Sequence, residues 1–257
     1  MARDQTVDLE PSLFYTGLVA EMYGRLRSVP SDPEPYARFI ATSGEPALEL
    51  GCGEGEPLLE LRRRGLDVEG LDSSPDMLDR CRLAAERRGL PVVLHHQPMQ
   101  TMELPRRYRS IFLAGPTFNL LPDDDTALRA LRAIAKHLDQ DGLALIPLFI
   151  PTRTSVAQLG VPRTTRDTDD TKLQLTVVSE TRDDATRMQI SVLRYERILP
   201  ERVVVEERPW LLHWYTQPGF TRLAIEAGLR TKAILNPHGE PANAHEPAFS
   251  FWLERRA

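Results

Sequence analysis

What the sequence lacks narrows its class before any motif is read. It has two cysteines, Cys52 and Cys81, in 257 residues. That is too few for the disulfide framework that staples small secreted domains. Its longest strictly apolar stretch, Leu143 to Ile150, is broken by Pro147 and falls far short of the roughly 20 residues needed to span a bilayer. The first residues, MARDQTVDLEPS, contain no apolar segment of the kind a secretory signal requires. No excess of positive charge exists either. The net charge is -5, so neither nucleic acid nor an anionic membrane is an expected partner. Zinc-binding patterns of the C-x-x-C or H-E-x-x-H type are absent, and His95 and His96, adjacent on one strand, point to opposite faces, so no metal site is expected. There is no internal repeat and no low-complexity tract. The expectation is a cytoplasmic globular protein, long enough to bury a large core unaided.

What is present is alternation. Leu13, Phe14, Leu18, Met22 and Leu26 recur at helical spacing and predict a helix over 12–28, with Tyr15 and Tyr23 nearby. A second short helix is expected over 36–42. From Pro46 onward strands and helices alternate. Strands are predicted at 47–50, 68–71, 92–95, 110–114 and 143–146. Helices are predicted at 57–64, at 74–88 and from Asp123 to a stop at Gly142. This pattern argues for a mainly parallel sheet covered on both faces. Residues 171–215 break it with period-two alternation and predict three or four antiparallel strands. A helix at 221–227 and strands at 231–235 and 248–253 close the chain.

The informative stretch is Glu49-Leu50-Gly51-Cys52-Gly53-Glu54-Gly55, followed by Asp72 after the second strand. Glycines let the backbone turn sharply and approach a ligand closely. The loop falls at the carboxyl edge of the sheet, where open α/β sheets bind ligands. An acid about 20 residues on can accept hydrogen bonds from both hydroxyls of a ribose. The third glycine of a dinucleotide fingerprint is replaced by Glu56, which would repel a pyrophosphate, and G-K-[ST] is missing. Glu49 is placed to organise a cation. The motif therefore points to a ligand with a ribose and an ammonium or sulfonium.

Here the chain resembles the class I S-adenosylmethionine-dependent methyltransferases, whose first motif is an acid, one residue, then G-x-G-x-G. Glu49, Gly51, Gly53 and Gly55 match it, and Asp72, in Leu71-Asp72-Ser73-Ser74-Pro75-Asp76-Met77-Leu78, matches the ribose acid. The resemblance covers about 36–150 and resumes over 219–255. It extends to the small-molecule subgroup, which includes sugar N,N-dimethyltransferases and natural-product O- and N-methyltransferases. It implies a Rossmann-like seven-stranded mostly parallel sheet sandwiched by helices, with an N-terminal helical lid and an antiparallel β insertion. The expected division is a lid over 1–45, a cofactor-binding core over 46–150, an insertion over 151–217 and a closing helix and hairpin over 218–257.

The implied cofactor is S-adenosyl-L-methionine, leaving as S-adenosyl-L-homocysteine. By resemblance, Glu49, Gly51, Cys52 and Gly53, with the carbonyls of Ala114 and Gly115, hold its methionine end. Asp72 holds the ribose, and Ser73, Met77, Gln97 and Met99 flank the adenine. Tyr15 and Tyr23 form the lid. The sequence departs from the family where Gln97-Pro98 replaces a Gly-Asp pair and Arg109-Ser110 replaces an aromatic followed by aspartate. His213 and Tyr215, sharing a strand face, are the catalytic candidates, His213 as general base. Phe118 and Asn119 are candidates for the substrate cavity. The expected reaction is methyl transfer to an O or N nucleophile of a small molecule in secondary metabolism, with the insertion serving the substrate or a homodimer interface. The alternative is a methyltransferase-fold protein acting as a cyclase-type catalyst or a non-catalytic partner. A NAD-dependent dehydrogenase ranks third.

Overall fold

The computed structural model describes residues 11–26, 32–167 and 169–256. The first ten residues and the end of the helix expected over 12–28, at Arg27 and Ser28, lie outside them. Within them, two helices, α1 (Pro11–Phe14) and α2 (Gly17–Leu26), replace the single one expected. The break between them is held by α5, introduced below: Ser74 Oγ donates to the Tyr15 carbonyl at 2.6 Å, and the Gly17 amide donates to Asp76 Oδ2 at 2.7 Å. These tertiary bonds outweigh local helical propensity. Next comes α3 (Glu34–Ser43).

The core alternation follows as β1 (Ala47–Leu50), α4 (Leu58–Arg63), β2 (Val68–Asp72), α5 (Pro75–Arg87), β3 (Leu94–His96), β4 (Tyr108–Phe112), α6 (Asp124–His137) and β5 (Leu138–Phe149). Strands β3 and β4 are displaced from their predicted ranges, and Gly142 does not end α6. Leu138 already pairs with Tyr108, so Gly142 lies inside β5. A Cβ there would stand 3.0 Å from the Tyr108 and Arg109 carbonyl oxygens of the neighbouring strand. Glycine at this position answers close strand approach, not a helix end.

Four antiparallel strands come next: β6 (Arg163–Arg166), β7 (Lys172–Asp183), β8 (Met188–Ile198) and β9 (Val203–His213). Helix α7 (Gln217–Glu226), β10 (Leu229–Leu235) and β11 (Ala248–Arg255) complete the chain. The main sheet has the order β10-β11-β5-β4-β1-β2-β3, and the second has the order β6-β7-β8-β9. In the main sheet β1, β2, β3, β4 and β5 are parallel, and β11 runs antiparallel to both its neighbours.

Period-two alternation decides which side each residue covers. Leu48 and Leu50 of β1 and Ala144, Ile146 and Leu148 of β5 pack with Leu131 and Ile134 of α6 and Phe220 of α7. Ala47, Leu143 and Leu145 face the opposite layer, with Phe39 of α3, Leu58 of α4 and Leu78 of α5. Full burial of each such leucine contributes about 1.5–3 kcal/mol. The two sheets are joined by Asn119. Its amide donates to the Phe149 and His213 carbonyls at 3.0 and 2.9 Å and accepts from the Phe149 amide at 3.2 Å.

Asp123 caps α6, accepting from the Thr126 amide at 2.7 Å. Partial burial pushes its carboxyl up. The bonds from the Thr126 amide and hydroxyl, with the Arg129 charge, outweigh burial and hold it below the usual carboxylate range. A depressed folded-state value stabilises the protein above the unfolded-state value and is lost as pH falls. Asp123→Ala is therefore expected to cost about 0.5–2 kcal/mol at neutral pH. In urea unfolding curves the gap from the parent should shrink as pH drops below about 4. A gap independent of pH would remove the charge from the cap's role.

Candidate functional site

The glycine loop leaves β1 and turns back under α4. Gly51 and Gly53 have φ values of 69° and 53°, a left-handed region that residues with a Cβ rarely enter. Space is short as well. A Cβ on Gly51 would lie 2.7 Å from Thr117 Cγ2, and one on Gly53 would lie 3.2 Å from Met77 Cε. Asp72, at the end of β2, fastens this loop: Oδ2 accepts from the Gly53 amide and Oδ1 from the Ser74 amide, each at 2.8 Å. Burial pushes the Asp72 carboxyl above its usual value, against the pull of those amides.

A narrow cavity of about 80 Å³ opens between these elements. Of the predicted cofactor residues, Tyr15, Tyr23, Gly51, Gly53, Asp72, Ser73, Met77 and Met99 line it. Glu49, Cys52, Gln97, Ala114 and Gly115 do not. Glu49 and Cys52 are buried, and burial raises the Cys52 thiol well above its usual value, which leaves it un-ionised and a poor nucleophile. Gln97 was expected to offer its amide to a ring. Instead its Oε1 accepts from the Glu103 amide at 2.7 Å and its Nε2 donates to the Glu103 carbonyl at 3.2 Å. The Gly115 carbonyl accepts from the Thr117 amide at 2.9 Å.

Pro98, Gln100, Thr117, Leu120 and Leu121 line the cavity without having been predicted. Thr117 and Leu120 belong to a single 3₁₀ turn, Thr117–Leu120, after β4. Pro116 before it was a usable turn signal. Phe118 and Asn119, predicted for a substrate cavity, belong to the same turn but are fully buried in the core.

A larger cavity of about 720 Å³ lies between α1, α2, the 154–163 segment and one face of the second sheet. Tyr15 and Tyr23 line both cavities. Their rings meet edge to face with centroids 5.4 Å apart. Burial raises the Tyr15 phenol well above its usual value, with Tyr23, Tyr195 and Asp72 adding to it and the Trp210 indole opposing.

His213 and Tyr215 line neither cavity. Their rings are in contact at 4.7 Å, as strand alternation predicted, but both are buried where β9 ends against α6. Asp124, in the first turn of α6, pairs with Arg187 and stands 3.7 Å from His213 Nε2. Burial and the Arg187 charge lower the His213 pKa. The Asn119 tie to the His213 carbonyl holds this residue, expected as a general base, in the core away from both cavities.

The cradle meets the demands of an adenosyl ligand. It offers a carboxylate at a strand end, two glycines where any side chain would crowd Thr117 and Met77, and the thioethers of Met77 and Met99 for an apolar ring. Among the described residues no group of three or more His, Cys, Asp or Glu side chains is placed to hold a metal ion, and no helix is long and apolar enough to cross a membrane.

Comparison with known proteins gives concordant results. The methyltransferase domain family matches residues 47–142. A dTDP-3-amino-3,6-dideoxy-alpha-D-glucopyranose N,N-dimethyltransferase of Streptomyces fradiae is 26% identical over 229 residues, 85% of this chain and 86% of that protein. A cypemycin N-terminal methyltransferase from a Streptomyces species is 23% identical over 256 residues, 96% of this chain and 99% of that protein. The fold is similar to that of CalS10, an amino pentose methyltransferase of Micromonospora echinaspora solved with S-adenosylmethionine bound. There the TM-score is 0.68 at 21% identity, covering 93% of this chain and 98% of that one.

Proposed function

Since this chain is a class I S-adenosylmethionine-dependent methyltransferase, we propose that it methylates an amine of a small natural-product or sugar-like acceptor. One observation carries the reading. A cradle suited to the donor and a second, larger cavity share Tyr15 and Tyr23 in their linings. Relatives that methylate an amino sugar or a peptide N-terminus support nitrogen as the attacking atom. The lining of the larger cavity supports it too. Among the described residues it holds no carboxylate and no imidazole. A hydroxyl would call for such a base, whereas an amine that has lost its proton to water attacks unaided.

In this reading Asp72 receives the ribose hydroxyls, Met77 and Met99 flank the adenine, and Gly51 and Gly53 admit the methionine end beside Thr117. When bound, the cofactor supplies a methyl group already activated by its sulfonium. The chain's work is alignment and exclusion of water. Tyr15, kept protonated by burial, and Tyr23 wall the transfer path.

Incubation of the protein with methyl-labelled S-adenosylmethionine and a panel of amines and alcohols tests the proposal. Label is expected in an amine product. Label appearing only in alcohols would replace nitrogen with oxygen. Label remaining in the donor across the panel, with S-adenosylhomocysteine still bound, would favour the non-methylating alternative.

A further inference from the structure

The chemistry of the larger cavity narrows the acceptor beyond its reacting atom. Phe14, Val19 and Leu26 form one wall, and Leu175, Val177 and Leu193 form another. Tyr195 and Trp210 add two more aromatic faces. Rings of this kind favour stacked or edge-on contact with a flat or alicyclic ligand. Among the described residues lining the cavity a single one is charged, Arg163, exposed at its edge.

A nucleoside diphosphate would need more than this. Its pyrophosphate carries at least two negative charges, which proteins meet with several cations or with a helix N-terminus. Among the described residues, apart from Arg163, much of both resources is already engaged. The N-terminus of α2, on the cavity wall, is occupied by the protein's own carboxylates: the Gly17 amide donates to Asp76 at 2.7 Å and the Leu18 amide to Glu206 at 3.2 Å. Arginines on the surrounding elements are paired as well, Arg25 with Asp167 at 3.0 Å, Arg197 with Glu21 at 2.7 Å and Arg166 with Asp170 at 3.1 Å. The volume of about 720 Å³ suits a multi-ring molecule.

We infer that the acceptor is a bulky, largely apolar, ring-bearing amine with at most one anionic group, and not a nucleotide-linked sugar. This rests on the methyl-transfer reading of the adjoining cradle, and the test separates the two. The probe is 8-anilinonaphthalene-1-sulfonate, an apolar two-ring-system amine with one anionic group. It is titrated by fluorescence into the full chain saturated with S-adenosylhomocysteine, whose own binding is measured by calorimetry. The expected result is saturable enhancement that thymidine diphosphate at millimolar concentration does not reverse. In Leu175→Glu and Val177→Lys, each placing a charge on the apolar wall, dye affinity should drop by roughly tenfold or more, with S-adenosylhomocysteine affinity unchanged. Displacement of the dye by thymidine diphosphate at micromolar concentration, in the unmodified protein alone, overturns the inference. Dye binding that is untouched in both variants overturns it too. Failure of the unmodified protein to bind S-adenosylhomocysteine overturns instead the reading beneath it.

Discussion

Exchange of Asp72 for alanine is expected to weaken S-adenosylhomocysteine binding by roughly 10- to 100-fold in a calorimetric titration. The size follows from hydrogen bonds to a charged acceptor, about 1.5–3 kcal/mol, with each 1.4 kcal/mol worth about a factor of ten. Two effects add in the same direction. The variant loses the acceptor for the ribose, and it releases the Gly53 and Ser74 amides that the carboxylate now holds. Asp72→Asn separates them, because its single carbonyl oxygen can serve one amide but carries no charge. Its affinity should fall between parent and alanine variant. An alanine variant that binds as tightly as the parent would dissociate Asp72 from the ligand altogether.

The second large effect is expected at Gly53. A β-branched residue at φ 53° is strained by roughly 1–2 kcal/mol or more. The valine side chain would also press on Met77, whose Cε would stand only 3.2 Å from the new Cβ. Gly53→Val is therefore expected to abolish measurable S-adenosylhomocysteine binding while the melting temperature falls by about 2–4 °C per kcal/mol of strain. Gly53→Ala carries the backbone penalty with less bulk and should retain weak binding. Parent-like affinity in the valine variant would place the ligand elsewhere.

How much of this was legible depends on how local the signal is. The parallel core was readable because each βαβ unit carries its own punctuation, such as Ser74 capping α5 with Pro75 in its first turn. The glycine loop and its tie to Asp72 were readable because they depend on backbone geometry at fixed spacing. Leu138–Asp141 was misread as a helix end because polar residues on an exposed strand extension look like a loop. The engagement of Gln97 was not legible because its partner, Glu103, lies across a turn that no motif marks. His213 shows the same limit. Alternation gave its shared face with Tyr215, but not that the face turns inward to α6. The insertion was expected to serve a substrate or a homodimer interface, but the shape of the larger cavity was not legible, since its lining is drawn from helices near the start of the chain and strands some 150 positions later.

That separation along the chain has a consequence for descent. Apart from Tyr15 and Tyr23, the proposed donor cradle is lined by residues between Gly51 and Leu121, whereas the proposed acceptor cavity draws on the N-terminal helices and on residues from Thr154 to Trp210. Mutations in the latter stretch can redraw the acceptor's shape while leaving every donor contact in place. A lineage built this way can trade one acceptor for another in single steps without passing through a form that has lost its methyl donor. Tyr15 and Tyr23 are the two positions where such drift would be felt on both sides at once.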